Sequence, residues 1–408
     1  MSKNERWLLL LQRRGRNADA LLKLMLSGCP SFDVDGGTFV KGNVAVHPTG
    51  VVLRDHPVAF TVVPEELSRG STIGRGSSST VVAATHVPSK TRLALKMLNV
   101  YDKSRRDQLV SEIRTLYNDS CEHVVTFYGA FHRDGVVTIA LEYMDGGSLA
   151  NTLNQVGALP EPVLAATAYQ VLCGLAHLRN CKRVHRDVKP SNVLINSAGR
   201  VKLSDFGISK ELQSSIAMCS TFVGSYKYMS PERMKSTPYS YSADIWSFGV
   251  LVIECATGTY PYPTCRTPLE AIDSVLEVDI VALSHDQLSK PCSDFVSQCC
   301  SREPSKRLPA DILLGSPWFS MHRIISAVAA IDIVKKWIET LRSRQTSSPR
   351  KPPVSAAATM PQPQQGVAAA PAAPVSASAP EPQPEPVHAP EPDAARSPQE
   401  FAILVPDR

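Results

Sequence analysis

At 408 residues, with 43% hydrophobic and 20% charged side chains, the chain has an ordinary globular composition and length for one large core or two lobes. The formal charge of +5 is spread without any block of five like charges, which argues against a nucleic-acid surface. The longest apolar runs, Trp7 to Leu11 and Ile324 to Val334, are far shorter than the roughly 20 residues of a membrane span.

Other classes are excluded by local sequence. Ser2 follows Met1 where N-myristoylation requires glycine, and no prenylation box ends the sequence, so no lipid anchor is expected. The ten cysteines include no Cys-x-x-Cys pair and no accompanying His cluster. They read as reduced thiols of a cytoplasmic protein.

In chain order, residues 1–66 form an N-terminal extension. Arg13, Arg14 and Arg16 precede Leu22-Lys23-Leu24, a basic run followed by two leucines one residue apart. Arginines there would meet an acidic patch while leucines fill a groove. An amphipathic helix packed on its own domain is an alternative. So is a transit peptide, although Glu5 and Asp19 are unusual in one. Further on, Thr38-Phe39-Val40 and Val44-Ala45-Val46 flank Lys41-Gly42-Asn43, a pattern that predicts a hairpin.

Residues 67–320 carry the mixed pattern of a folded domain, and residues 321–342 read as a helical extension. From 343 to 408 the chain is Pro-, Ala-, Ser- and Gln-rich and holds about half of all 32 prolines. Such a segment lacks the apolar surface to offset its ordering entropy, so a disordered tail is expected.

Within the domain, Val81-Val82-Ala83-Ala84, Leu93-Ala94-Leu95-Lys96, Val124-Val125-Thr126-Phe127 and Val137-Thr138-Ile139-Ala140-Leu141 are strand-like. One helix, roughly 104–117, interrupts them, and helical patterns dominate after about residue 160. A small β-rich unit followed by a larger helical one predicts an α+β, two-lobed architecture.

Chemistry enters with Ile73-Gly74-Arg75-Gly76-Ser77-Ser78-Ser79-Thr80-Val81, which fits Gly-x-Gly-x-x-Gly-x-Val except that Ser79 replaces the third glycine. Glycines let a turn approach phosphate oxygens and aim N–H groups at them. A strand follows these glycines, and Lys96 ends the next strand-like run. A dinucleotide fold would place a helix there instead. Lys96 is either a surface lysine or a cation for phosphate, and the second role needs an acidic partner. Leu109, Glu112, Ile113 and Leu116 follow helical spacing, which puts Glu112 on the apolar face. A buried carboxylate costs several kcal/mol unless paired, so a Lys96–Glu112 pair is predicted.

The most specific signal is His185-Arg186-Asp187-Val188-Lys189-Pro190-Ser191-Asn192 followed by Asp205-Phe206-Gly207. Val193-Leu194-Ile195 and Val201-Lys202-Leu203 flank Asn196-Ser197-Ala198-Gly199, a hairpin that brings Asn192 and Asp205 to one end. Two oxygen ligands there suit Mg²⁺ on ATP phosphates. Asp187 is placed to accept a hydroxyl proton, and Lys189 to stabilise a transferring phosphoryl group.

With Ser230-Pro231-Glu232 and Asp244-Ile245-Trp246-Ser247-Phe248-Gly249, this set resembles the eukaryotic protein kinases over roughly residues 67–320. The resemblance implies the protein kinase fold, ATP and Mg²⁺ as cofactors, a Glu232–Arg307 pair, and Asp244 supporting the catalytic loop. It makes Leu141 the gatekeeper and puts Glu142 and Met144 on the adenine hinge. It adds Ala94, Ser148, Ser191 and Leu194 to the nucleotide set of residues 73–81 and Lys96. It assigns catalysis to Asp187, Lys189, Lys96 and Glu112, and metal to Asn192 and Asp205.

Within that family the sequence is similar to the MAP kinase kinases, especially plant and protist members. Glu142-Tyr143-Met144-Asp145-Gly146-Gly147-Ser148-Leu149, Phe206-Gly207-Ile208-Ser209, the stretch from Phe222 to Arg233 and Gly36-Gly37-Thr38-Phe39-Val40-Lys41-Gly42-Asn43 carry the likeness. It implies phosphorylation of both Thr and Tyr in a MAP kinase activation loop. Ser215 and Thr221 match the spacing of the family's activating phosphosites, which implies an upstream MAP kinase kinase kinase. Arg13, Arg14, Arg16, Leu22 and Leu24 resemble its docking peptide for the MAP kinase substrate. Ser79 leaves a catalytically silent scaffold as one rival reading, and a Ser/Thr kinase of another cascade tier as a second. Ser348-Pro349 and Ser397-Pro398 in the tail fit proline-directed feedback phosphorylation.

Overall fold

The computed structural model describes residues 33–35, 38–41, 44–53, 59–76, 79–99, 109–110, 112–114, 116–117, 121–205, 227–262, 267–278 and 288–347. Two antiparallel sheets come first. β1 (Asp33–Asp35), β2 (Thr38–Lys41), β3 (Val44–His47), β4 (Gly50–Leu53) and β5 (Ala59–Thr61) form a meander in sequence order. β2 and β3 pair as the hairpin pattern predicts, with Phe39 opposite Val46. Strand alternation sends Phe39, Val44, Val46, Val51 and Leu53 into the main core, while Ala45 and Val52 lie on the other face with Val40.

The second sheet runs β6-β7-β8-β10-β9, from β6 (Leu67–Arg75), β7 (Ser79–His86), β8 (Thr91–Asn99), β9 (Phe127–Arg133) and β10 (Val136–Glu142). Its register sets Val81 and Ile139 opposite Lys96, and Leu141 opposite Ala94. Directly opposed and i, i+2 side chains share a face, so these five look the same way. Val124–Thr126 were expected inside a strand with Phe127 and lie outside it. Val124 instead forms a parallel bridge to Leu203, and the Val125 N–H donates to the Leu203 carbonyl at 3.0 Å. Tertiary pairing overrides their β propensity.

The helical half begins at α1 (Leu149–Val156), whose N-cap Ser148 forms a capping box with Asn151. α2 (Glu161–Asn180) and α3 (Tyr241–Thr257) are buried over most of their length. A hairpin of β11 (Val193–Ile195) and β12 (Val201–Leu203) separates these helices in sequence. α4 (Ala327–Ser347) packs along α2. It runs past residue 342, where the disordered tail was expected to follow. Arg344 and Gln345 are good helix formers, and the first proline beyond them is Pro349, so 343–347 remain helical.

Gly199, at the turn of the hairpin, has φ +81°. A Cβ there would strike the Ile331 carbonyl oxygen and lie 2.6 Å from the Lys335 amide nitrogen. The backbone of α4 therefore rests on this turn. Among the described residues, no helix is long and apolar enough to cross a membrane.

Candidate active site

Lys96 on β8 is 3% exposed and sits between two carboxylates. Its ammonium donates to Glu112 Oε1 at 2.8 Å and to Asp205 Oδ1 at 2.7 Å. Residues 109, 110, 112–114, 116 and 117 are helical, so the expected inward-facing carboxylate is in place. Burial opposes the Lys96 charge, but the Asp205 and Glu112 carboxylates outweigh it and hold its pKa above the ordinary lysine value. Burial raises Glu112 against the pull of Lys96. It also acts to raise Asp205, yet the Lys96 charge wins and holds that carboxyl below its usual range. The Asp205 side chain stays 37% exposed, and its bond to Lys96 uses Oδ1.

The catalytic-loop motif is built on a buried frame. Asp244, at the start of α3, accepts the backbone amides of His185 at 2.7 Å and Arg186 at 2.8 Å. His185 is fully buried; its Nε2 lies 3.1 Å from the Ser204 carbonyl, and its Nδ1 accepts the Asp187 amide at 3.3 Å. This fixes the neutral tautomer with hydrogen on Nε2, and burial holds the ring below its ordinary pKa. Arg186 and Asp205 have φ of +72° and +61°. Left-handed backbone costs roughly 1–2 kcal/mol at each, offset by the Asp244 and Lys96 contacts.

On that frame Asp187 Oδ2 lies 2.8 Å from Lys189 Nζ, and the Asn192 amide donates to the same oxygen at 2.8 Å and to the Asp187 carbonyl at 2.8 Å. Asn192 thus keeps its side-chain oxygen as an acceptor. Its carbonyl takes hydrogen bonds from the Ser204 amide and hydroxyl at 2.9 and 3.0 Å, which ties it to the residue before Asp205. Oxygen donors from one Asn and one Asp fit a hard cation such as Mg²⁺ that keeps waters and phosphate oxygens as its other ligands. Among the described residues no cluster of three His, Cys, Asp or Glu is arranged to hold a metal alone.

Several of the residues expected to contact a nucleotide sit on the sheet that carries Lys96. Ile73 is 46% exposed, and the Gly76 N–H donates to the Ser79 carbonyl at 2.8 Å, which closes the turn where a third glycine was expected. Val81, Ala94 and Leu141 share the Lys96 face of the sheet. Arg75 ends β6 opposite Thr80. The hinge from Glu142 to Ser148 is stitched to β11. The Gly146 N–H donates to the Ile195 carbonyl at 3.0 Å, the Gly147 carbonyl accepts the Ile195 N–H at 2.9 Å, and Ser148 bridges Leu194. Met144 is buried.

The Glu142 side chain turns away from this set. It accepts from Lys202 at 2.6 Å and from the Thr126 hydroxyl at 2.9 Å. Sequence reading missed this pair, since Lys202 looks like any polar residue in a short strand.

Beside Asp187, a groove of about 450 Å³ is lined by Lys189, Ser191, Lys227, Tyr228, Glu254 and Asn154. The Tyr228 hydroxyl donates to Glu254 at 2.5 Å, which raises the phenol pKa through burial first and the carboxylate second. Glu232 and Arg307 form a buried bidentate pair at 2.7 and 2.8 Å. Ser77, Ser78, Ser215, Thr221, Arg13, Arg14, Arg16, Leu22, Leu24 and both Ser-Pro pairs lie outside the described residues.

Comparison with known proteins fits this geometry. The protein kinase domain family matches residues 67–319. Mitogen-activated protein kinase kinase 3 of Arabidopsis thaliana is 44% identical over 254 residues, covering 61% of this chain and 49% of that protein. The chain thus spans about half the length of that relative. Mitogen-activated protein kinase kinase 2 of the same plant is 35% identical over 309 residues, covering 71% of this chain and 85% of that protein. Dual specificity mitogen-activated protein kinase kinase 1 of Dictyostelium discoideum is 43% identical over 192 residues, covering 47% of this chain and 29% of its own. With the Lys96–Glu112 pair and the Asp187 loop in place, the chain belongs to the protein kinase family, and within it to the mitogen-activated protein kinase kinases.

Proposed function

We propose that this chain transfers the γ-phosphate of ATP to a Thr and a Tyr in the activation loop of a MAP kinase, in the cytoplasm. The observation that carries the reading is that Lys96, held by Glu112 and Asp205, is tied to the Asp187–Lys189–Asn192 cluster through the hydrogen bonds of Ser204, the residue before Asp205, to the Asn192 carbonyl.

Lys96 holds the nucleotide's phosphates, and Glu112 keeps its ammonium in place. The apolar face of Val81, Ala94 and Leu141, together with Ile73 and Leu194, would take the adenine. The hinge backbone at Glu142 and Met144 reads its edge, because the Glu142 carboxylate is committed to Lys202. Bound Mg²⁺-ATP supplies the phosphoryl group with its charge partly neutralised. Asn192 and Asp205 would hold the metal through oxygens that their other contacts leave over. Asp187 accepts the proton of the attacking hydroxyl through a carboxylate oriented by Asn192. Lys189, 2.8 Å from that carboxylate, stabilises the transferring group.

Dual specificity is supported by the likeness to the Dictyostelium protein, a dual specificity mitogen-activated protein kinase kinase. Ser215 and Thr221 are the sites of an activating upstream kinase, and the segment from Arg13 to Leu24 docks the MAP kinase. Incubation with Mg-ATP and catalytically dead MAP kinases, read by site-resolved mass spectrometry, tests the reading. Phosphate on one Thr and one Tyr of a single loop is expected. Ser or Thr products alone would move the chain to another tier of the cascade.

A further inference from the structure

The Glu112 helix is buried over too wide an arc for one neighbour. At about 100° per residue, Glu112, Leu116, Leu109, Ile113, Tyr117 and Val110 span about 160° of its circumference, against the roughly 100° stripe of a surface helix. All six are at most 7% exposed. One edge of the arc carries Glu112 to Lys96. The other edge, Val110 and Tyr117, lies more than a third of a turn away, and the N-terminal meander reaches the helix there.

One contact joins the meander to the helix, and two further observations place it on the same core and on the kinase sheet. The Tyr117 phenol lies against the backbone amide of Leu53 on β4, a contact that works against the burial pushing its pKa up to about 12. Phe39, Val44, Val46, Val51 and Leu53, all at most 3% exposed, share one continuous core with Ile113, Leu116 and Tyr117. Phe39 also faces His132 on β9 with ring centroids 6.4 Å apart, so the meander is anchored to the kinase sheet as well.

We propose that the meander of β1–β5 is a positioning element for phosphoryl transfer, with Phe39 holding it on the kinase sheet and Leu53 fixing the rotation of the Glu112 helix and thereby the Lys96–Glu112 bond. This rests on the proposed role of that bond. At a helix radius of roughly 5–6 Å, a rotation of about 30° moves a side-chain tip by about 3 Å, enough to break a hydrogen bond. The meander supplies the second wall that prevents it.

The test uses full-chain Phe39→Ala and Tyr117→Phe, each alone and combined with Glu112→Gln. kcat and the KM for protein substrate are measured on samples whose thermal melts show a folded protein. Phe39→Ala is expected to lower kcat about 10-fold with substrate KM within about twofold, and to lower it less than about twofold in the Glu112→Gln background. Tyr117→Phe, which keeps the ring, is expected to lower kcat about threefold alone and to have no effect with Glu112→Gln. If Phe39→Ala does not fold, Tyr117→Phe carries the same comparison. Equal losses in both backgrounds, or full kcat in the folded single variants, overturn the inference. Full activity of Glu112→Gln itself overturns the reading of the site beneath it.

Discussion

Glu142 and Lys202 form a largely buried ion pair at 2.6 Å that joins the end of β10 to the strand leading into Asp205. The Thr126 amide and hydroxyl complete the carboxylate's shell at 3.2 and 2.9 Å. The hinge and the residue that holds Lys96 from the other lobe are therefore coupled through a charge.

Removing one partner leaves the other charge desolvated. Glu142→Ala is expected to cost on the order of 2–3 kcal/mol in urea denaturation, and adding Lys202→Met to recover part of it. A loss equal in the single and double variants would contradict the pairing argument.

Two predictions concern segments that the sequence alone identifies. Ser215→Ala with Thr221→Ala is expected to abolish stimulation by an upstream kinase, because phosphates there would order the loop against Arg186. Deleting residues 1–30 is expected to raise the KM for the MAP kinase while sparing ATP turnover, since it stops short of β1. Full stimulation in the first case, or unchanged substrate kinetics in the second, would sink the respective assignment.

Gly199 tests how α4 is held. Gly199→Ala adds a Cβ at φ +81° against Ile331 and Lys335. Left-handed strain and overpacking together predict a loss of about 2–4 kcal/mol. Limited proteolysis should then release α4 first, and a protein as resistant as wild type would argue that α4 does not rest on the turn.

His47 is buried, with Nδ1 3.0 Å from the Thr38 hydroxyl, and burial holds its pKa below the ordinary value. Protonation therefore favours the unfolded chain. The contribution is complete above about pH 6.5 and is lost as pH falls toward the depressed folded value. Wild type should lose stability relative to His47→Gln between pH 7.5 and 5.5, by up to about 1.4 kcal/mol per pH unit. Parallel urea midpoints across that range would contradict it.

Much of the candidate site was legible because phosphoryl transfer demands particular residues at fixed spacing. His185 to Asn192 and Asp205 are separated by one hairpin, and Glu112 betrays itself as a charge on an apolar face. What stayed hidden depends on long-range partners. Val51 to Leu53 is too short a run to announce a strand, and only pairing with β3 and burial against the kinase core make it one. Val124 has the propensity of a strand residue, but its partner is Leu203, nearly eighty positions on. Lys202 gives no local sign that Glu142 is its counter-ion, because the two meet only after both lobes form.

The proposed phosphoryl transfer depends most on Asp187 as its base. The direct measurement compares wild type with Asp187→Asn for ATP affinity by calorimetry and for single-turnover transfer to a MAP kinase. Asp187→Asn is expected to bind Mg-ATP within about threefold of wild type and to transfer phosphate slower by about 10²–10⁴. Transfer at the wild-type rate would contradict the assignment of this cleft as the catalytic site.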